Sequence, residues 1–236
     1  MTHARFVIAA LAFAWCCAVA SAATVPVCTD CDFSGKSLGG WDFSGGVYVG
    51  TNFAGSALQR ASFKNAKLVA ANFLGADLRG ASFDGIQCTA CNFLNAKLDG
   101  ATFTGSRMVA ANFLGFAAHV ADEQLRGLLS GCVSCNFSGS SLSGRDLSGT
   151  PLIGVDLSRA DLRGTKFDGA VLCWYAVDWP ARTVKCDSLE EARVDGASFK
   201  GVRVCTDPGD AATCSSVDAA TLRRYTGSSL AGAILP

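Results

Sequence analysis

The sequence predicts an all-β solenoid, and two nested repeats predict it. From Phe33 every fifth residue is apolar up to Phe113, and a second run, shifted in phase, extends from Phe137 to Leu172. Most of these central residues have a small residue two positions before them and a glycine two positions after. Neither a helix nor an ordinary strand has a period of five. A period of five fits short extended segments with a turn after every fifth residue, because glycine adopts turn conformations that are unfavourable for other residues.

The second repeat is longer and indicates how these segments stack. The stretches VGTNFAG, VAANFLG, CTACNFLN and a second VAANFLG recur every 20 residues, so four turns close one coil. Large Phe or Leu beside small Ala predicts a narrow, filled interior without a ligand cavity. Stacked coils are also expected to align five asparagines into an amide ladder, namely Asn52, Asn72, Asn92, Asn112 and Asn136.

The pattern A-(D/N)-L-x-G, as in GADLRGASFDG and SRADLRGTKFDGA, resembles the pentapeptide-repeat family. The match covers roughly residues 31–172, with twenty-five registered repeats, and resumes at EARVDGASFKGVRV. The resemblance implies a right-handed quadrilateral β-helix. It also implies that the central residue and the small residue two positions before it point into the coil.

The first residues have the pattern of an export signal. Arg5 precedes an apolar run of 15 residues, which ends in an A-x-A site at Ala20 to Ala22. The run is shorter than the roughly 20 residues of a membrane-spanning helix, so we expect cleavage after Ala22. The mature chain is then secreted or periplasmic, with no stable membrane insertion.

The chain is therefore expected to have four parts. A signal peptide covers residues 1–22, and the repeats cover 23–172 with a short helical insertion at 116–131. An aromatic disulfide loop follows at 173–191, and the last repeats with a C-terminal cap occupy 192–236.

Two short helices are expected outside the repeats. In the insertion, Asp122 is the expected N-cap of a helix whose stripe of Leu125, Leu128 and Leu129 leans on the coils. In the cap, Asp218 is the expected N-cap and Gly227 the expected stop.

The cysteines are expected to form disulfides. Of twelve cysteines, signal cleavage removes Cys16 and Cys17, and an even number remains in an oxidising compartment. A four-residue turn brings its ends within about 7 Å, which suits a bridge inside each C-x-x-C. The candidate pairs are Cys28–Cys31, Cys88–Cys91, Cys132–Cys135, Cys173–Cys186 and Cys205–Cys214. Ten cysteines also permit other connectivities, and buried thiols are an alternative.

A metal or redox function of the C-x-x-C corners is a further alternative. It would use Cys28, Cys31, Cys88, Cys91, Cys132 and Cys135 to hold copper or zinc, or as redox thiols. The three pairs are expected about 14 Å and 10 Å apart along the coil axis. Sulfur atoms in one zinc site lie within roughly 4 Å of each other, so no two pairs share a metal. We expect no resident metal or other cofactor.

The sequence offers no catalytic constellation. The mature chain has one histidine, His119, without a serine and aspartate spaced for a triad. Two surfaces are candidates for binding instead. Outward leucines and valines are expected to form an apolar stripe, and aromatic residues gather in one loop, as either a cap or a binding site. These residues are Leu74, Leu94, Leu114, Val49, Val69 and Val109 for the stripe, and Trp174, Tyr175 and Trp179 for the loop.

The function that these features favour is a rigid, disulfide-stapled module that binds an unknown protein partner or a second copy of itself. Some pentapeptide-repeat proteins are acidic rods that resemble DNA and occupy topoisomerase surfaces. This chain has 20 basic and 20 acidic residues and an export signal, and both features argue against that role. The interspersed charges also show no basic stripe for nucleic acid.

Overall fold

The computed structural model describes residues 26–117, 119–178, 181–205, 213–226 and 230–236. For 174–178, 181–186 and 225 it describes the backbone only. The expected signal peptide, Trp179 and the expected helix stop at Gly227 lie outside the described residues.

The chain forms two compact units, and each is a parallel β-solenoid. The first ends at Met108 and also contains His119 and Val120, and the second contains Val109–Ala117 and the residues from Ala121 onward. Within the described residues, no helix combines the length and the apolar character needed to cross a bilayer.

In the first unit, one side of every coil is a short strand. These strands are β1 (Val27–Thr29), β2 (Val47–Val49), β3 (Lys67–Val69) and β4 (Gln87–Thr89), and β5 (Arg107–Val109) lies where the second unit begins. Each of β1 to β3 pairs in parallel with the strand that follows it one coil later. The other three sides pair through single bridges such as Asp32↔Asn52, Ser37↔Ala57 and Asp42↔Ser62. The predicted four-sided coil and its repeat length are confirmed.

Two columns of phenylalanine rings fill the interior of the first unit. Phe73 lies between Phe53 and Phe93, with ring centroids 5.0 Å from each and planes within 4° of parallel. The neighbouring column stacks Phe63 on Phe83 at 4.9 Å. Rings of the two columns meet edge to face, as Phe63 and Phe73 do at 5.4 Å and 89°. The phenylalanines at the central positions are therefore stabilised both by burial and by stacking on the equivalent ring of the next coil.

The amide ladder forms along one side of this unit. The Nδ2 atoms of Asn72 and Asn92 each donate to Oδ1 of the asparagine one coil earlier, at 3.1 Å. Each Oδ1 also accepts a backbone N–H two residues later, such as that of Leu74. Asp32 begins the ladder, because its carboxylate accepts from Asn52 at 3.2 Å and the first position needs only an acceptor.

Within the second unit, one column of paired residues continues past two insertions. The ladder column runs Asn112↔Asn136, Asn136↔Asp156 and Asp156↔Ser188, so the first and third of these coils are longer than the second. Strand β6 (Cys132–Val133) follows the first insertion. The extra residues leave the coil and return to the same column.

The first insertion is helix α1 (Asp122–Ser130), with Leu125, Leu128 and Leu129 buried as predicted. The prediction that Asp122 is the N-cap is wrong, because Ala121 occupies that position. The Asp122 carboxylate instead accepts from Arg145 Nε at 2.5 Å and from the Asp146 backbone N–H at 3.0 Å. Asp122 therefore ties the helix to the coil beside it.

The second insertion is a β-hairpin, where a loop was expected at 173–191. Strand β7 (Val171–Asp178) pairs antiparallel with β8 (Ala181–Cys186), since this segment is rich in aromatic and β-branched residues that favour strands. Strands β9 (Arg203–Cys205) and β10 (Cys214–Ser216) complete a sheet of order β10-β9-β7-β8. Helix α2 (Ala219–Thr226) follows, and Asp218 caps it by accepting the Thr221 N–H at 2.7 Å, as predicted.

The ring columns predict a graded cost of truncation. Phe73→Ala removes a fully buried ring with a stacked neighbour on each side, so we expect it to destabilise the fold by about 3–5 kcal/mol. Phe33→Ala is the matched control, because Phe33 is half-buried and has one neighbour in its stack, Phe53. Urea unfolding of both variants measures the difference. Equal losses would show that the stacks are not what stabilises the coils.

Candidate functional site

The C-x-x-C cysteines occupy inward positions of the coil. Cys28 pairs in register with Tyr48, which is a central residue of the next coil and is buried. Cys88 and Cys91 are 2% and 1% exposed. Disulfides join Cys28 to Cys31 and Cys88 to Cys91, with Cα atoms 5.8 and 6.1 Å apart. These two bridges therefore lie within the wall of the solenoid and fix one corner of their coils.

The third C-x-x-C differs from the expected bridge. Cys132 and Cys135 are both fully buried, and the structure holds them as thiols. Burial, together with the hydrogen bond to Cys135, raises the pKa of the Cys132 thiol well above its usual value. Thiol oxidation proceeds through the thiolate, so an apolar environment of this kind disfavours it. Cys88 and Cys91 are nearly as deeply buried and form a disulfide, so burial alone does not distinguish the corners, and the repeat pattern is the same at all three.

The remaining cysteines lie outside the regular coils. A disulfide joins Cys205 in β9 to Cys214 in β10, which are partners in the strand register. Cys173 is also disulfide-bonded, and the backbone of Cys186 lies opposite it across the β7–β8 hairpin. Within the described residues, no group of three or more His, Cys, Asp or Glu side chains is placed to hold a metal ion.

His119 forms a surface pair and is not part of a catalytic group in the described structure. Its Nδ1 lies 3.1 Å from Asp99 Oδ1, and its backbone N–H donates to the same oxygen at 2.8 Å. The His119 side chain is 97% exposed. The hydrogen bonds from the His119 backbone and side chain lower the pKa of Asp99.

The predicted apolar stripe is distributed over both units. In the first unit Leu74 is 39% exposed, while Leu94, Val49 and Val69 are half-buried. In the second unit Leu114 and Val109 are 41% and 46% exposed. All six point away from the interior columns. Of the aromatic candidates, Trp174 and Tyr175 lie on strand β7 with only their backbone described, and Trp179 is outside the described residues.

A buried carboxyl group escaped the sequence analysis. Asp187 is 1% exposed and accepts the Val155 N–H at 2.8 Å through Oδ1. Its Oδ2 is buried without a hydrogen-bond partner among the described residues. Burial raises the pKa of Asp187 well above its usual value. Asp187 lies two positions before the buried Leu189, which is the inward position that a small residue usually occupies. The hairpin inserted before Asp187 shifts the repeat, so the sequence pattern did not show that Asp187 occupies this position.

The family model for pentapeptide repeats matches eight copies in this chain, at residues 49–85 and 135–172. One matched range lies in each solenoid unit. The chain carries pentapeptide repeats. Bridges such as Asp32↔Asn52 and Lys166↔Ser198 extend the same coil geometry beyond the two matched ranges. The resemblance in the A-(D/N)-L-x-G pattern is thus confirmed.

Several solved structures of pentapeptide-repeat proteins are similar to this chain. A thylakoid-lumen protein of Arabidopsis thaliana is 25% identical, with 54% of this chain and 66% of that chain covered and a TM-score of 0.30. HetL of the cyanobacterium Nostoc is 23% identical, covering 75% and 67%, with a TM-score of 0.34. QnrB1, a plasmid-mediated fluoroquinolone resistance protein, is 20% identical, covering 72% and 80%, with a TM-score of 0.40. No curated protein sequence matches the chain.

The buried carboxyl of Asp187 predicts an unusual pH dependence. Its pKa is raised in the folded state, so the fold binds the proton more tightly than the unfolded chain does. Its contribution to stability is therefore present at low pH and is lost as pH rises above the ordinary value near 4. Asp187→Asn keeps an acceptor for the Val155 N–H and removes the titration. We expect the variant to be more stable than the wild type at pH 7 and similar to it at pH 3.5.

Asp161→Asn is the control with the opposite sign. Its hydrogen bond to Arg163 lowers the pKa of Asp161 to about 2, so the stability that this carboxylate contributes is present at neutral pH and is lost only as pH falls toward 2. Urea unfolding of the three proteins at both pH values makes the comparison. A wild type that remains more stable than Asp187→Asn at pH 7 would contradict the assignment of Asp187 as a buried neutral acid.

Proposed function

We propose that this pentapeptide-repeat chain is exported and acts as a rigid, disulfide-stapled module that binds a protein partner, without catalysing a reaction or holding a cofactor. The observation that carries the proposal is the pair of in-coil bridges in the wall of the first unit, Cys28–Cys31 and Cys88–Cys91, of which Cys31 is half-buried and the other three cysteines are buried. Bridges of this kind persist in oxidising compartments. They agree with the A-x-A leader that ends at Ala22.

The interior supports a binding role on the outer faces. Phenylalanine columns occupy the centre of the first unit, and its ladder asparagines are fixed by hydrogen bonds to one another. A partner can therefore contact only the outward-facing side chains. Leu74, Leu114 and Val109 are exposed apolar residues among them. Exposed apolar side chains mark a contact surface where they form a contiguous patch. The partner is another protein or a second copy of the chain.

The metal and redox alternative receives less support. Metal binding and thiol exchange both require a thiolate. Two of the three C-x-x-C corners are already bridged, and the raised pKa of Cys132 opposes thiolate formation at the third. A role as a DNA mimic at a topoisomerase also receives little support, because acidic and basic residues are equal in number.

Intact-mass spectrometry of the protein from its native compartment, with thiol alkylation before and after reduction, tests the proposal. We expect a mature chain that begins at Ala23 and whose Cys28, Cys31, Cys88 and Cys91 are alkylated only after reduction. The buried Cys132 thiol is the internal control, because denaturation without reductant should make it reactive. A chain that retains residues 1–22 would contradict export. Reactive thiols at Cys28 and Cys88, or a copper or zinc adduct, would favour the metal alternative.

A further inference from the structure

Arg60 occupies a backbone position that suits glycine. Two residues after the central leucine, Gly40, Gly80 and Gly100 have φ between 67° and 71° at this corner of their coils. Arg60 stands at the same corner with φ 58°. The left-handed conformation is sterically unfavourable for a residue with a side chain, and such strain is often found at functional sites. Ala70, Ala90 and Ala110 also have φ between 51° and 54°, so the conformation alone does not mark Arg60 as functional, and the partner of its side chain decides.

A second arginine in the same conformation supplies the comparison. Arg159 has φ 57°, and its Nε donates to Glu191 Oε2 at 2.8 Å. Its backbone N–H donates to the carbonyl of Glu190, so Glu191 is its neighbour in the next coil. The Arg60 N–H donates to the carbonyl of Arg79, which makes Gly80 the equivalent neighbour. Arg60 thus has a glycine where Arg159 has its carboxylate.

No other residue in the part of the chain that the structure describes supplies that carboxylate. Among the described residues, none forms an ion pair with Arg60. The nearby Asp77 is committed to Arg79, which donates to it through Nε at 2.8 Å and through a terminal nitrogen at 2.5 Å. Gln59 Nε2 donates to the same carboxylate at 2.7 Å. The hydrogen bonds from Arg79 and Gln59 lower the pKa of Asp77 to about 2, so it stays ionised and paired.

Arg60 borders an open groove on the first unit. Gly39, Gly40, Gln59, Arg60 and Arg79 line a volume of about 560 Å³. A side chain at Gly40 would meet no atom within 4 Å, so the absence of side chains there leaves the groove open. Two of the five lining residues are arginines and none is acidic. Trp41, the residue after Gly40, is 41% exposed.

We propose that this groove binds an oxyanion, a carboxylate or phosphate group, through the guanidinium of Arg60 with Arg79 as a second donor. A planar guanidinium pairs with either group through two parallel hydrogen bonds. The bound group takes the place that Glu191 fills beside Arg159. Arg79 is held in position by Asp77, and Gln59 Oε1 lies at the edge of the groove, 3.5 Å from where a Cβ on Gly39 would lie. The site is independent of export and of the disulfides.

The first test is a titration of the ¹⁵N-labelled folded chain with inorganic phosphate and, separately, with a blocked tetraglutamate peptide, following the arginine Nε–Hε signals by NMR. We expect a saturable shift at Arg60 with a smaller one at Arg79. Arg60→Gln keeps the backbone strain and removes the charge, and should weaken binding at least tenfold. Arg159→Gln is the matched control and should change nothing.

The two probes distinguish the source of the oxyanion. Tighter binding of the peptide assigns the site to acidic side chains of a protein, and tighter binding of phosphate assigns it to a free phosphate or a phosphate ester. Equal shifts at Arg60 and Arg159, or full binding by Arg60→Gln, would mean an adventitious ion only and would overturn the site.

Exchanging the internal carboxylate between the two arginines gives a reciprocal test. Gly80→Glu places a carboxylate beside Arg60 as Glu191 stands beside Arg159, and should abolish binding of both probes. Glu191→Gly removes the partner of Arg159 and should make its Nε–Hε signal respond to the same probes. A glutamate is compatible with this corner, because Glu191 itself has φ 57°. A Gly80→Glu protein that binds as the wild type does would contradict the proposal.

Arg60→Gly separates a binding role from a structural one. Restoring the glycine relieves the backbone strain, so we expect the melting temperature to rise by about 2–4 °C while oxyanion binding is lost. A lower melting temperature would show that Arg60 stabilises the coil and would overturn the argument from strain.

Discussion

The stacking of each coil on the next is the interaction on which the rest of the structure depends. A single coil encloses too few side chains to form a core of its own. Its rings become buried only when equivalent rings lie above and below, as Phe73 does between Phe53 and Phe93 at 5.0 Å. That separation is close to the spacing of hydrogen-bonded strands, about 4.7–4.9 Å. Ring stacking and backbone pairing are thus satisfied by one register.

This shared register explains why the second unit accommodates two insertions. Helix α1 and the β7–β8 hairpin each lengthen one coil, yet Asn136 and Ser188 return to the same column. An insertion at a corner leaves the stacked rings and the ladder bridges unchanged, provided that its ends are close together. Asp122 shows how an insertion is then secured, since its carboxylate binds both Arg145 and the backbone of Asp146.

Features that recur with the repeat can be predicted from the sequence, whereas features of a single position that departs from the repeat cannot. The four-sided coil, the Asn52–Asn72–Asn92 ladder and the buried leucines of α1 all follow from periodicity. The thiol state of Cys132 does not, because the C-x-x-C pattern and the burial are alike at the bridged Cys88–Cys91 corner. Asp187 was missed because the hairpin shifted the register by an amount that no local pattern reveals. The roles of Arg60 and Glu191 became visible only when the structure showed which residues are neighbours across coils.

The same distinction indicates where function lies in a repeat protein. Inward positions are constrained by stacking, so most of them are Phe, Leu or a small residue and carry little information about a partner. Corner positions are constrained by backbone conformation, and glycine, asparagine or alanine occupies them, as at Gly75, Asn65 and Ala70. An arginine at such a corner can pair with a neighbour in the next coil, as Arg159 does with Glu191. Arg60 has no such ion pair among the described residues, so its guanidinium is available to a group that binds to the surface.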